Sequence, residues 1–187
     1  MSQLRHASIL TAFLAVLVAP THRGAARAEP RAAPANELKA AFLYNFGKFV
    51  VWPGASPRME GIFVIGVLGD ALMAEVLDRT IRDKQVQERR IAVRRLRSAK
   101  EAQDCQIVFI GAAEREHLGD ILGSLDRRSV LTVSDMDEFV DKGGMISLLL
   151  DQNKLRFEIN LGVVDRAGLK MSSQLLKLAR RVIGLPG

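Results

Sequence analysis

The chain has 187 residues, of which 48% are hydrophobic, and it has one cysteine. This composition excludes a disulfide-stapled miniprotein and a disordered chain, and it suffices for one domain with a single sizeable core. Its 27 Lys and Arg against 21 Asp and Glu give a formal charge of +6, but Arg5, Arg23 and Arg27 and no acid fall in the first 28 residues, so beyond them half of the excess is gone.

Arg5 and His6 precede an uncharged apolar run, Ala7 to Ala19, which Pro20 breaks and Ala26-Arg27-Ala28 follows. This is the layout of a secretory signal peptide over residues 1–28, cleaved after Ala28. The run is shorter than the ~20 residues that span a bilayer, so direct membrane insertion is not expected. With no cysteine at the cleavage site and no paired arginine, ordinary export to the periplasm follows, where nucleic acid is not an expected partner. Residues 29–35 are small and proline-containing and read as a flexible mature N-terminus, with one domain over residues 36–184.

Asn36 is placed to cap a helix carrying Leu38, Phe42, Phe46 and Phe49, which Trp52-Pro53-Gly54 ends. Ile62–Leu68, bounded by glycines, predicts a strand buried on both faces. Asp70 then caps a helix to about Ile81 that presents Leu72, Val76 and Leu77. Arg90–Leu96 alternates weakly as a second strand, and Ser98 to Glu101 matches a capping box ahead of a third strand, Gln106–Ile110. A helix from Ala113 to Leu125, a strand at Val130–Val133 and a turn capped by Ser134 continue the alternation, which argues a parallel, helix-covered sheet. Met145–Leu150 and Leu155–Asn160 flank a polar turn and predict an antiparallel hairpin. Helical turns near Val163 and a helix from Ser172 to Ile183 close the chain. The expected fold is one α/β domain: a mostly parallel sheet of about five to six strands, helices on both faces, and the hairpin (residues 145–160) at one side.

No constellation for catalysis is present. His117 is the one histidine beyond residue 28, and nucleophile, Walker and zinc spacings are missing, so no catalytic, cofactor or metal site is assigned. Gly69-Asp70 and Gly111 end two strands, and if those strands are neighbours the loops meet where open α/β sheets bind ligands. The competing reading is a plain turn with Asp70 as a helix cap. Arg90, Arg94 and Arg95 form a candidate partner surface with Phe49 and Trp52, since arginine and aromatics dominate interface hot spots. The competing readings are a charge-protected edge strand and a buried aromatic pair. Arg156 and Glu158, two apart on a strand, are placed to pair with each other. Cys105, at a strand entrance, reads as a small buried residue.

Ala40-Ala-Phe-Leu-Tyr-Asn-Phe-Gly-Lys-Phe-Val-Val-Trp-Pro53, Ile65-Gly-Val-Leu-Gly-Asp70, Gly143-Gly-Met-Ile146, Arg156-Phe-Glu-Ile-Asn160 and Gly168-Leu-Lys-Met-Ser-Ser-Gln-Leu-Leu-Lys-Leu-Ala179 occur in that order. Together they resemble the YfiR-like family of periplasmic regulators. The resemblance implies a non-enzymatic α/β protein, often a homodimer, whose best-known relative represses a membrane-bound diguanylate cyclase and is sequestered by an outer-membrane lipoprotein. Other relatives accompany different membrane sensors, including histidine kinases, and a small-molecule-binding sensor is the alternative role. That best-known relative carries disulfides, whereas Cys105 here stands alone.

Overall fold

The computed structural model describes residues 32–52, 61–152 and 154–184. The expected signal peptide, residues 29–31, and the Pro53-Gly54 and Leu185–Gly187 stops lie outside them. Helix α1, Ala32–Phe49, starts four residues before the expected cap at Asn36. Ala32, Ala33 and Ala35 are strong helix formers, and Pro34 falls in the first turn, where a missing N–H breaks no bond. Residues 32–35 are therefore helical, and Asn36 is buried, its Oδ1 accepting from Lys39 Nζ at 3.3 Å. The aromatic face of α1 packs inward: Phe42, Phe46 and Phe157 form a triangle of edge-to-face contacts with centroids 5.5–6.0 Å apart.

A short strand β1, Val50–Val51, follows, and then β2, Ile62–Leu68, the long apolar strand at the centre of the sheet. Helix α2, Ala71–Ile81, begins at Asp70, whose Oδ1 accepts from Met73 N at 2.8 Å. It buries Met73, Val76 and Leu77, while Leu72 turns outward. Next come β3, Gln85–Val86, and β4, Arg89–Leu96. The capping box at Ser98 is not made: Glu101 reaches one residue past it and accepts from Arg97 N at 3.1 Å, the Ser98 hydroxyl makes no cap, and the turn that results, Ala99–Asp104, is a 3₁₀ helix. Strand β5, Ile107–Ile110, leads through a 3₁₀ segment, Ala112–His117, into α3, Leu118–Leu125, and then to β6, Leu131–Ser134. The hairpin is β7, Ile146–Asp151, and β8, Lys154–Asn160, followed by α4, Leu161–Arg166, and β9, Lys170–Met171.

The final helix is shorter than its periodicity suggests. Helix α5 covers Ser173–Leu178, after which Arg181–Ile183 becomes strand β10. The open side of β8 offers pairing groups, Arg180 N donates to Phe157 O at 2.8 Å, and β-branched Val182 and Ile183 suit an extended backbone. Leu178, which would face the core had the helix run on to Ile183, is 64% exposed.

The eight-stranded sheet runs β10-β8-β7-β6-β5-β2-β4-β3, with β1 and β9 forming a separate antiparallel pair. Its pairings are parallel except for the hairpins β7–β8 and β3–β4. The two further strands that extend the sheet beyond the six legible in the sequence, β3 and β10, are too short to show a period. Helices α1 and α2 cover one face over Phe63, Ile65, Phe109 and Val133, and α3 with the first 3₁₀ turn covers the other over Val64, Leu68, Val108 and Ile110. Among the described residues no helix is long and apolar enough to cross a membrane.

Candidate functional site

Strand β2 is flanked by β4 on one side and β5 on the other, so the chain leaves its carboxyl end in one direction and returns across it. That reversal is where open α/β sheets bind ligands. The structure brings Gly69, Asp70 and Gly111 together there, with Gly111 N donating to Leu68 O at 2.8 Å. It also closes the space between them. A Cβ on Gly111 would lie 2.7 Å from Gly69 O and 2.8 Å from Asp70 Cβ. Gly69 holds φ +73°, a left-handed conformation that favours glycine, and the place of its missing Cβ is 2.6 Å from Glu114 Cγ. The Asp70 carboxylate is committed to Met73 N. The crevice is thus filled by the two loops and Glu114, and two carboxylates border it.

Farther along this carboxyl edge, Arg115, Leu118, Gly119, Met136, Asp137 and Lys142 line an open cleft of about 330 Å³. Lys142 is engaged by Glu138 at 3.2 Å. Nearby, Lys39 of α1 meets Asp135, just past β6, at 2.6 Å, and this partly buried ion pair ties the first half of α1 to the sheet. Sequence reading missed it, because 96 residues separate the partners.

The aromatic pair proposed as partner surface divides. Trp52 is 7% exposed: its ring meets Phe63 edge-on at 5.3 Å and its Nε1 donates to Gln106 O at 3.2 Å. It is core, as the competing reading had it, because the chain leaving α1 passes over the amino end of β5 instead of into solvent. Phe49 is half-buried, and its carbonyl accepts from Ser172 N at 2.9 Å.

Arg90, Arg94 and Arg95 sit on β4 near the sheet edge and are exposed. The pleat sends Arg90 and Arg94 toward the α3 face and Arg95 toward α2. Arg95 reaches Glu75 of α2 at 3.1 Å, and Arg94 lies 3.9 Å from Asp104. They form an edge, not one flat patch.

Glu158 pairs with a different arginine from the one expected. Its Oε2 accepts from Arg181 Nη2 at 2.6 Å, and Arg181 also makes a fork to Asp141 at 2.9 and 2.7 Å. Register explains the choice, since Arg181 lies opposite Glu158 across β8 and β10, whereas Arg156 is exposed nearer the hairpin tip. The Arg181 hydrogen bonds hold the Asp141 carboxyl below its ordinary range.

Cys105 is fully buried, and burial pushes its thiol up to about 11, against a smaller opposing pull from Arg94. His117 is exposed, with Nδ1 4.0 Å from the Glu114 carboxylate. Among the described residues no three His, Cys, Asp or Glu side chains are grouped to hold a metal ion.

A family model described as DUF4154, YfiR/HmsC-like, matches residues 36–180. Among solved structures, the chain is similar to a conserved domain protein from Vibrio cholerae O1 biovar El Tor strain N16961, with 10% identity and a TM-score of 0.56 over 79% of this chain and 60% of that one. It is also similar to an ABC domain in complex with L-Trp from Streptococcus pneumoniae, with 12% identity and a TM-score of 0.49 over 65% of this chain and 55% of that one. The chain therefore spans little more than half the length of these two proteins, and the likeness to the first is one of fold.

Proposed function

The chain belongs to the YfiR/HmsC-like family of non-catalytic periplasmic regulators, and from that we propose that it binds the periplasmic part of a membrane-bound diguanylate cyclase and represses it, lowering cyclic di-GMP. Export would follow from the signal peptide over residues 1–28, with cleavage after Ala28. The observation that most supports action through a surface is the closed crevice at the ends of β2 and β5, where Gly69, Asp70, Gly111 and Glu114 fill the place a substrate would take.

Repression by binding requires preference for the inactive state of the client. Moving a cyclase from 99:1 active to 1:99 takes about 10⁴-fold tighter binding to that state. No covalent step is involved. The surface proposed for this contact is the arginine edge, Arg90, Arg94 and Arg95, with the exposed part of Phe49 beside the end of α1. An outer-membrane lipoprotein that sequesters the regulator, and a homodimer, belong to the same proposal.

Deleting the gene raises cyclic di-GMP in this reading, restoring it reverses the rise, and the purified protein captures a cyclase from detergent-solubilised membranes. An unchanged level with no cyclase captured removes this role. The second reading, a small-molecule sensor serving another membrane protein such as a histidine kinase, is favoured by the 330 Å³ cleft at Arg115, Met136 and Lys142 on the same edge of the sheet. Capture of a kinase with unchanged cyclic di-GMP supports that reading.

A further inference from the structure

Among the described residues, strand β4 is paired along its length on one side only. Its inner side pairs with β2 from Arg90 to Leu96, whereas on the outer side β3 reaches no further than Arg89 and Arg90. From Ile91 to Leu96 every second residue therefore turns its N–H and C=O outward, which is a template for another strand.

The chemistry of this edge is one-sided. Arg89, Arg90, Arg94, Arg95 and Arg97 stand on it with no acid among residues 89–97. The acids lie behind it on the covering elements, Glu75 against Arg95 at 3.1 Å, Asp104 against Arg94 at 3.9 Å, and Glu101 against the backbone of Arg97 at 3.1 Å. Arg90 and Arg97 have no carboxylate at ion-pair distance among the described residues. Beside the strand, Ala74, Glu75, Asp78, Arg79, Val93 and Arg95 line an open cleft of 320 Å³.

We propose that the open edge of β4 receives an extended acidic segment of a protein partner as an added strand, with one of its side chains entering the cleft beside Val93. The partner's being a protein rests on the regulator reading above. The pleat sets the pattern the segment must carry. Arg90 and Arg94 lie four apart on one face, so acids four apart on one face of the segment meet them. On the other face an apolar residue lies against Ile91 and Val93, next to Arg95. A second copy of this chain is the wrong occupant, because antiparallel pairing of two β4 strands stacks the four arginines of each copy in one ladder.

The test uses the purified protein and short capped peptides of alternating valine and glutamate, with a lysine-for-glutamate counterpart and a version with a central proline. Fluorescence anisotropy should show saturable binding of the acidic peptide alone, weakened about ten-fold in Arg90→Glu/Arg94→Glu and by high salt. Amide exchange should slow within Ile91–Leu96 when the peptide binds. The thermal midpoint of the double variant checks that it is folded. Equal binding of the lysine peptide, binding unchanged in the folded double variant, or no slowing of exchange on β4 overturns the proposal. A dimer in sedimentation that the double variant dissolves overturns the choice of occupant. If the double variant still captures a cyclase while the peptide fails, the strand-addition proposal falls and the regulator reading stands. Peptide binding with no change in cyclic di-GMP on deletion separates the two the other way.

Discussion

Replacing Trp52 separates a core residue from a contact residue. Its indole is 7% exposed, stacks edge-on against Phe63 at 5.3 Å and donates to Gln106 O at 3.2 Å. Trp52→Ala removes most of a buried aromatic side chain, a change that costs about 3–5 kcal/mol in cores that relax only partly. Trp52→Phe keeps an aromatic contact and loses the donor. Gln106 O still accepts from Leu131 N at 2.8 Å, so it is not orphaned, and the expected cost is about 1–2 kcal/mol. With a urea slope of ~2 kcal/mol/M, the alanine variant should unfold on the order of 2 M earlier and the phenylalanine variant less than ~1 M earlier. Far-ultraviolet circular dichroism reads all three proteins, and the single tryptophan gives an independent transition for the wild type. Substitutions on a free surface stay within ~0.5 kcal/mol. A Trp52→Ala midpoint within that range, accompanied by loss of partner capture, would refute the core assignment and return Trp52 to the interface.

The buried thiol of Cys105 predicts a pH dependence. Burial pushes its folded pKa up to about 11, above the ordinary thiol value of 9.0, so the neutral thiol's contribution is complete below pH 9 and is lost as the pH rises through 11. A shift of this size corresponds to about 2–3 kcal/mol. Cys105→Ala should lack that part of the decline, and equal losses in both proteins between pH 8 and 11 would contradict it. Arg181→Ala leaves Glu158 largely buried without its 2.6 Å partner, and denaturation should show a loss of about 1–3 kcal/mol, reduced from the fully buried case because Arg181 is partly exposed and Arg180 lies 4.0 Å away. Asp141→Asn acts through pH: the depressed carboxyl contributes above its unfolded pKa and the contribution is lost as pH falls through the folded value, so the variant's acid-side decline should be shallower than the wild type's. Gly111→Ala places a Cβ 2.7 Å from Gly69 O at an ordinary negative φ, so its cost is steric, about 1–3 kcal/mol in thermal or urea midpoints. An unchanged midpoint would show that the two loops stand farther apart.

The parallel core was legible because its strands announce themselves locally. Ile62–Leu68 and Gln106–Ile110 are continuous apolar runs bounded by turn residues, and Asp70 precedes a helix of clear period, so strand, cap and helix fall where the pattern puts them. The hairpin was legible for the same reason. The C-terminus was not: Ser172 to Ile183 carries a helical period to its end, and the decision to stop after Leu178 comes from β8, whose open edge and Glu158 capture Arg181.

Residue types and spacing by themselves determined an α/β chain without catalytic clusters, with loops at Gly69 and Gly111 that meet once β2 and β5 are neighbours. Only the tertiary structure decided what those loops do. Gly111 approaches Gly69 so closely that, with Glu114 beside them, the crevice is full, a result of backbone packing that no spacing rule encodes. It likewise sent Trp52 inward and left β4 open, because burial and strand order depend on which distant segments pack together, and those contacts are long-range.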